Sequence, residues 1–221
     1  DYDVALMRIG ILGSGRMGAK LGTIWARAGH EVVFSYARST EKLARLARQA
    51  GALARAGSPA DAACEATAVL LAVHWSRVED VLAQAGDLSG KTIVSCSLPM
   101  NADDTELVIA HTSSGSEVLA QRLPGAHVVS AFGTVPSEVL FAVYEQRRNK
   151  NKPTVVYCGD DGRSKKVAAR LIGDAGFEPL DAGPLRIARY IEPFTLLVGQ
   201  LAYERPGGPA LAYRFLRMGR R

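Results

Sequence analysis

The sequence predicts an α/β protein built on a doubly wound, mainly parallel sheet. Short apolar runs alternate with stretches of helical periodicity along nearly the whole chain, and a glycine-spaced turn joins the first run to the first helical stretch. Strands that alternate with helices form parallel sheets with right-handed crossovers and helices on both faces. The 221 residues, 48% of them hydrophobic, suffice for one large core.

The first strand–helix–strand unit is the clearest. The runs "RIGIL" at 8–12 and "EVVFS" at 31–35 read as strands, and between them apolar residues recur at helical spacing: Met17, Leu21, Ile24, Trp25 and Ala28. After this unit the pattern predicts a helix over 40–50, a short strand over 52–54, a helix opened by Ser58 and Pro59, a strand over 67–73, a helix over 76–84 and a strand over 91–97.

The alternation then resumes after an irregular stretch. Residues 98–114 have weak periodicity and predict a loop with a short element. Beyond them the pattern predicts a helix over 115–122, a strand over 126–132, a broken helical stretch to 147, a surface loop "EQRRNKNKP", a strand over 154–159, a helix over 161–173 and a strand over 178–183.

A final helical region follows this last strand. It carries one apolar stripe, formed by Ile187, Tyr190, Ile191, Phe194, Leu197, Val198 and Leu201. Pro193 inside it predicts a kink or two helices that meet there, and the break "RPGGP" predicts a short terminal helix beyond. We therefore divide the chain into a domain over 7–184 and a C-terminal helical segment over 185–221, which packs on the cleft or forms a dimer interface; residues 1–6 are expected to be a leader or tag remnant.

Composition excludes several classes of protein. No apolar run approaches the roughly 20 residues of a membrane span, and the start lacks a secretory signal, so we expect a cytoplasmic protein without a membrane. Three cysteines at wide spacing fit neither disulfides nor zinc, and predict buried thiols. The net charge of +5 lacks the interleaved aromatic residues of a nucleic-acid surface, which points to an anionic small molecule as partner. His30 is interpreted as a turn residue.

The turn "GSGRMG" carries the strongest functional signal. Gly13 permits the tight turn, Gly15 lets a pyrophosphate approach the backbone, and Gly18 lets the helix pack closely on the strand. Unpaired amides at the helix start then bind the phosphates. A merely structural turn is the alternative, but the position between a strand and a periodic helix favours a dinucleotide-binding, Rossmann-type domain.

The end of the second strand predicts which dinucleotide is bound. Where an acidic residue would bind the ribose of NAD, the chain has Ser35, followed by Arg38, Ser39, Thr40 and Lys42. A guanidinium and small hydroxyls suit the 2′-phosphate of NADP. The alternative is that these residues are a solvated helix start. The sequence thus predicts NADP(H).

Few other residues of the sequence suggest a chemical role. Val73, His74 and Trp75 follow the strand over 67–73, where a cofactor crosses the sheet; as alternatives, Trp75 caps the core and His74 is a solvated loop residue. We find no Tyr–Lys pair or catalytic histidine in the pattern of dehydrogenases, and so assign no catalytic residue. Hydride exchange between two stacked redox rings needs chiefly their positioning, which would make such a group dispensable.

Several stretches together resemble a known family: "GILGSGRMG", "AVHWSRVEDVL", "VVSAFGTVPSEVL", "CGDDGRSKKVAARLI" and "EPLDAGPLRIARYIEPFTLLVGQLAY". They are similar to the NADP-dependent oxidoreductases that use the deazaflavin coenzyme F-420, whose fold also occurs in the six-transmembrane metalloreductases. The resemblance implies a homo-oligomer, such as a dimer, with F-420 or a flavin as co-substrate. It places Ser14, Gly15, Arg16 and Met17 at the pyrophosphate, and Ser35 and Arg38 at the 2′-phosphate. It places Val73 to Trp75 under the cofactor. Two further segments lie beside the nicotinamide and the second ring: 95–99, which includes Ser97 and Pro99, and 131–136, which includes Ala131.

Two departures from the family pattern leave the acceptor open. Gly133 stands where deazaflavin enzymes often carry a histidine, and the loop over 98–114 differs. In the segment under the cofactor, His74 stands where a proline is familiar. We therefore expect hydride transfer between NADPH and a deazaflavin or flavin-like ring, with two alternatives: a reductase of another small molecule (imine, ketone or ferric chelate), or a non-catalytic NADPH sensor. We expect dimerisation through the C-terminal stripe.

Overall fold

Eight strands form one sheet in the order β3-β2-β1-β4-β5-β6-β7-β8. Every neighbouring pair is parallel except β6 and β7, which are antiparallel. The computed structural model describes residues 6–219; residues 1–5, where most of the expected leader lies, and residues 220–221 are outside that range. The strands are β1 (Arg8–Leu12), β2 (Glu31–Ser35), β3 (Ala54–Ala56), β4 (Ala68–Leu71), β5 (Thr92–Ser95), β6 (His127–Ser130), β7 (Thr154–Gly159) and β8 (Glu178–Asp181).

Helices cover both faces of this sheet, as the doubly wound pattern predicted. They are α1 (Arg16–Arg27), α2 (Thr40–Ala50), α3 (Pro59–Cys64), α4 (Val78–Ala85), α5 (Gly115–Arg122), α6 (Leu140–Glu145), α7 (Gly162–Asp174) and α8 (Ala188–Tyr203). Single 3-10 turns at Trp75–Arg77, Ser137–Val139 and Leu185–Ile187 lead directly into α4, α6 and α8.

Local sequence explains where several helices begin. Ser58 and Asp61 form a reciprocal capping box at α3, in which the Asp61 amide lies 3.1 Å from Ser58 Oγ. Ser39 and Ser114 cap α2 and α5 by a simpler contact, in which each side chain accepts a hydrogen bond from an amide in the first turn. These caps satisfy donors that a helix cannot pair internally.

Two clusters of buried side chains form the core, one on each face of the sheet. Helices α1, α2, α6 and α7 pack on one face and α3, α4, α5 and α8 on the other. Alternate residues of a strand point to opposite faces, so Ile11 belongs to the first cluster and Leu12 to the second. On the first face Phe132 packs edge-on against Trp25 and Phe177, with ring centroids 5.9 Å and 6.4 Å apart.

Several predicted boundaries were wrong. The strand expected over 52–54 lies at 54–56, and the strands expected over 67–73, 91–97 and 126–132 each end two residues early. Their last residues instead turn out of the sheet into loops at its carboxyl edge. Helix α8 runs continuously through Pro193, so two separate helices do not form there.

The prediction of a short terminal helix was also wrong within the residues that the structure describes. Residues 204–219 contain no helix; they run beside β7, where the Thr154 amide donates to the Tyr213 carbonyl over 2.8 Å and the Phe215 amide donates to Thr154 Oγ1 over 3.1 Å. The Tyr213 ring packs edge-on against Phe194 of α8, with centroids 5.2 Å apart. Backbone pairing and aromatic packing thus replace helix formation after the "RPGGP" break.

Two further expectations need correction. His30 is more than a turn residue: it is fully buried, Nδ1 accepts from the Met7 amide over 3.2 Å, and Nε2 lies 2.9 Å from Asp174 of α7. Of the three cysteines, Cys158 is buried as predicted and Cys96 is half-buried, but Cys64 is exposed at the end of α3. Within residues 6–219 no helix combines the length and apolar character needed to cross a membrane.

Candidate functional site

The candidate site lies at the carboxyl edge of the sheet, where β1 and β4 are neighbours and the strand order reverses. In open α/β sheets the two loops that leave such a point diverge and leave a crevice between them. Here that crevice is a cleft of about 530 Å³. It is lined by Gly13, Ser14, Gly15, Tyr36, Ala37, Arg38, Lys42, Ala72, Val73, His74 and Arg77.

The glycine-rich turn has the geometry that a pyrophosphate needs. Gly13 is left-handed, with φ 108°, and a Cβ on Gly18 would lie 1.8 Å from the Gly13 carbonyl oxygen, so α1 packs directly on the turn. Gly15 precedes α1 without a side-chain cap, and a Cβ there would meet no atom within 4 Å. The first turn of α1 contains no acidic residue. Unpaired amides at a positive helix end beside open space fit a bound pyrophosphate.

The end of the cleft beside β2, where the sequence predicted the adenosine of the dinucleotide, differs in part from the prediction. Arg38 and Lys42 line the cleft, as expected of a 2′-phosphate site, while Ser39 caps α2. Ser35 does not line it: its side chain is fully buried and donates to the Ile11 carbonyl over 2.7 Å, so it holds β2 to β1. Tyr36 also lines the cleft and was not predicted to do so. Its position directly after β2 is the signal that could have identified it.

The edge of β4 carries the three residues expected under the cofactor. Val73 lines the cleft, and its amide donates to Ser97 Oγ over 3.2 Å. His74 also lines it and is exposed, whereas Trp75 is half-buried against the core with the Arg122 guanidinium 5.8 Å from its ring centroid. Trp75 therefore takes the alternative role of a cap on the core.

Two of the differences from the family pattern meet in space. The loop over 98–113 folds back through an antiparallel bridge between Met100 and Leu107, and Asp104 at its turn lies 3.1 Å from Nε2 of His74. Asn101 organises the turn by accepting from the Thr105 amide over 2.9 Å. This loop is thus tied to the rim of the dinucleotide cleft.

The carboxyl ends of β5 and β6 enclose a narrow pocket of about 10 Å³, which is lined by Ser97 and Ala131, two of the residues that the family resemblance placed near the nicotinamide. Pro99 is buried instead, and would lie 2.8 Å from a Cβ on Gly115. Glu192 of α8 also lines this pocket and is 2% exposed. It was not predicted from the sequence.

Glu192 binds the N-terminus of α5. Its carboxylate accepts hydrogen bonds from the Gly115 amide at 2.8 Å and from the Ser116 amide and hydroxyl, both at 3.0 Å. Burial raises the pKa of this carboxyl, an effect that the three hydrogen bonds oppose. A second contact joins the same helices, since Arg189 donates to both Glu117 oxygens, the shortest bond being 2.7 Å. Helix α8 is therefore fixed at the site by two charged contacts.

A second cavity of about 210 Å³ adjoins the glycine-rich turn on the side of α8. Arg16 and Met17, which the sequence placed at the pyrophosphate, line this cavity. Its other walls are Gly133, Thr134, Val135, Pro136, Ser137, Thr195, Val198, Gly199 and Tyr203. Phe132 is left-handed, with φ 66°, which sends its ring into the core and leaves Gly133 facing the cavity. A Cβ on Gly133 would lie 3.5 Å from its nearest neighbour, so the backbone here does not require glycine.

The rim of this cavity carries one polar pair. The Tyr203 hydroxyl donates to Glu138 over 2.9 Å. Burial and this carboxylate raise the pKa of Tyr203 to about 12, so the phenol keeps its proton at neutral pH. Lys20 holds the adjacent turn by donating to the Ser137 carbonyl over 2.8 Å. No group of His, Cys, Asp and Glu in residues 6–219 is arranged to hold a metal ion.

Comparison with known proteins shows similarity over the part of the chain that forms this cleft. The sequence model of a family described as "NADP oxidoreductase coenzyme F420-dependent" matches residues 8–99, the part that contains the glycine-rich turn and the adenosine end of the cleft. Metalloreductase STEAP3 of Rattus norvegicus is 29% identical over 189 residues, 86% of this chain. This chain spans 36% of that relative's length.

Solved structures share the fold. A protein of Arthrobacter sp. FB24, provisionally described as an F420-dependent NADP reductase, superposes with a TM-score of 0.82 at 23% identity, over 96% of this chain and 100% of that one. A hypothetical protein of Sinorhizobium meliloti gives 0.74 at 24%, over 97% and 98%. A reductive aminase of Aspergillus terreus in complex with NADPH and ethyl levulinate gives 0.64 at 18%, over 89% and 61%. The resemblance that the motifs indicated is thereby confirmed: over residues 8–99 the chain matches the family of coenzyme F420-dependent NADP oxidoreductases, on a Rossmann-type fold.

Proposed function

We propose that this protein is an NADP(H)-dependent oxidoreductase that transfers a hydride between NADPH and a deazaflavin or flavin-like ring. One observation carries the proposal: a cavity with mostly apolar walls adjoins the cleft at the glycine-rich turn and shares two lining residues, Gly133 and Thr195, with the pocket at the ends of β5 and β6. The family match over residues 8–99 supports NADP(H) as the dinucleotide.

The side chains of the site suit binding and positioning. The amides at the start of α1 would hold the pyrophosphate, and Arg38 with Lys42 the 2′-phosphate. NADPH, when bound, supplies the hydride. Among the cavity's lining residues only Arg16 and Tyr203 are ionisable, and both lie towards its rim. Such walls would hold a flat ring in place, and positioning is the main requirement of ring-to-ring hydride transfer.

The test is NADPH oxidation followed at 340 nm by stopped flow, with coenzyme F-420, FMN, FAD, a ferric chelate and a cyclic imine as acceptors. We expect turnover with at least one ring acceptor. Turnover with the chelate or imine alone would replace the proposal with a reductase of that substrate. NADPH binding without any turnover would favour the sensor hypothesis.

A matched pair of variants locates the acceptor. Gly133→Ala adds a Cβ for which there is room, so its rates should stay near those of the wild-type protein. Gly133→Trp fills the cavity, so the acceptor KM should rise at least tenfold while the Kd for NADPH is unchanged. Equal acceptor kinetics in both variants would exclude this cavity as the acceptor site.

We also propose that the protein forms a homodimer through α8. Tyr190, Leu197 and Leu201 lie on one face of this helix and are 63%, 54% and 48% exposed, which is unusual for large apolar side chains on a single face. The partner would be a second copy, as the family resemblance implies. Light scattering should give twice the monomer mass, and Leu197→Glu should give the monomer, with Glu145→Gln, at an exposed position of α6, as a control.

A further inference from the structure

Tyr36 has a backbone conformation that its side chain disfavours. It follows β2 at the outer end of the dinucleotide cleft, and its φ is 57°. Bulky residues rarely adopt left-handed φ because Cβ crowds the neighbouring carbonyl oxygen. Strained residues of this kind concentrate at ligand sites. The conformation is held in part by the Ser14 amide, which donates to the Tyr36 carbonyl over 3.1 Å.

The side chain spans the end of the cleft. The phenol donates a hydrogen bond to the Asp80 carboxylate of α4, on the opposite side from β2. Asp80 also accepts from Gln84 over 3.2 Å, and the hydrogen bond from Tyr36 lowers the pKa of its carboxyl. The ring itself is half-buried against the core cluster that contains Leu12 and Leu71. Tyr36 therefore presents a fixed aromatic surface.

The charges around this surface suit a phosphorylated adenosine. Arg38 and Lys42 line the cleft beside Tyr36, and Arg77 lines it from the start of α4. Aromatic side chains stack on nucleobases, and a guanidinium beside them adds favourable contacts with the base. We propose that Tyr36 is the surface on which the adenine base of NADP(H) stacks. This inference rests on the proposed function, because it requires NADP(H) in the cleft.

The variant Tyr36→Gly tests whether Tyr36 binds adenine or only stabilises the fold. The variant removes the ring and also relieves the left-handed strain, which offsets the packing that the ring loses against the core, so we expect a nearly unchanged Tm together with a Kd for NADPH at least tenfold weaker. Tyr36→Phe keeps the ring and should stay within about threefold of the wild-type Kd. His111→Gly is the matched control: His111 has φ 63° in the loop over 98–113, does not line the cleft, and should leave the Kd unchanged.

Fragments of the dinucleotide test whether the loss of affinity arises at the adenine base. By calorimetry, 2′,5′-ADP should lose affinity for Tyr36→Gly by the same factor as NADPH, since both contain the adenosine. Reduced nicotinamide mononucleotide should bind the wild-type protein and the variant alike. A loss shared by the mononucleotide would mean that the whole cleft had changed shape, and would refute a specific contact with adenine.

The inference and the proposed function fail differently. If the wild-type protein binds neither NADPH nor 2′,5′-ADP, the proposed function is refuted and this inference with it. If the wild-type protein binds both and Tyr36→Gly binds them equally well, only the inference is refuted. The inference is also refuted if Tyr36→Gly lowers both the Tm and the affinity and Tyr36→Phe lowers both as well. The residue would then be structural.

Discussion

Arg38→Ala tests the assignment of the adenosine end most directly. Arg38 is exposed and lines the cleft four residues before Lys42, on the loop that leads into α2. A hydrogen bond to a charged group contributes about 1.5–3 kcal/mol, and exposure to solvent places Arg38 at the lower end of that range. Since about 1.4 kcal/mol corresponds to tenfold in affinity, we expect the Kd for NADPH to rise about tenfold.

The assay compares two dinucleotides at fixed ionic strength. NADH lacks the 2′-phosphate, so its Kd should change little in Arg38→Ala, and the preference for NADPH should fall by the whole factor. Arg45→Ala is the control because it removes the same charge from an exposed position on α2, the helix that follows Arg38. Equal weakening of NADPH and NADH, equal effects of both variants, or a wild-type preference for NADH would refute the assignment.

Three further predictions follow from local geometry. Gly15→Ala should weaken NADPH binding at unchanged Tm, whereas Gly18→Ala should also lower Tm, because only its Cβ meets the backbone; equal melting curves would contradict this. Thiol labelling should be fast at Cys64 alone, since burial raises the pKa of the other two thiols to about 12. Hydrogen bonds from Arg189 lower the pKa of Glu117, so Glu117→Gln should lose about 1–2 kcal/mol of stability above pH 4.5, and the difference from the wild-type protein should vanish as pH falls through the lowered pKa; a pH-independent difference would contradict this.

Periodicity predicted the doubly wound sheet because each strand and helix buries residues at its own repeat. It could not fix where β4, β5 and β6 end, since the residues that follow them, among them Val73, Ser97 and Ala131, line the cleft or the small pocket beside it instead of continuing the ladder. Glycine spacing predicted the turn at Gly13 to Gly18, because steric limits on backbone approach are local. The direction of the Ser35 side chain was not predictable, because its hydroxyl is turned inward by a carbonyl of β1 that only sheet pairing brings near.

The sequence by itself determined the alternation of strands and helices, the glycine-rich turn and the basic residues after β2. Each of these depends on neighbours within a few positions. Only the tertiary structure brought Glu192 to the N-terminus of α5, Tyr36 to Asp80 and His74 to Asp104, pairs that are 77, 44 and 30 residues apart in the chain. Contacts between residues so far apart in the chain depend on how whole helices and strands pack. The relative position of two elements determines which side chains meet, and the residues next to a side chain in the sequence do not.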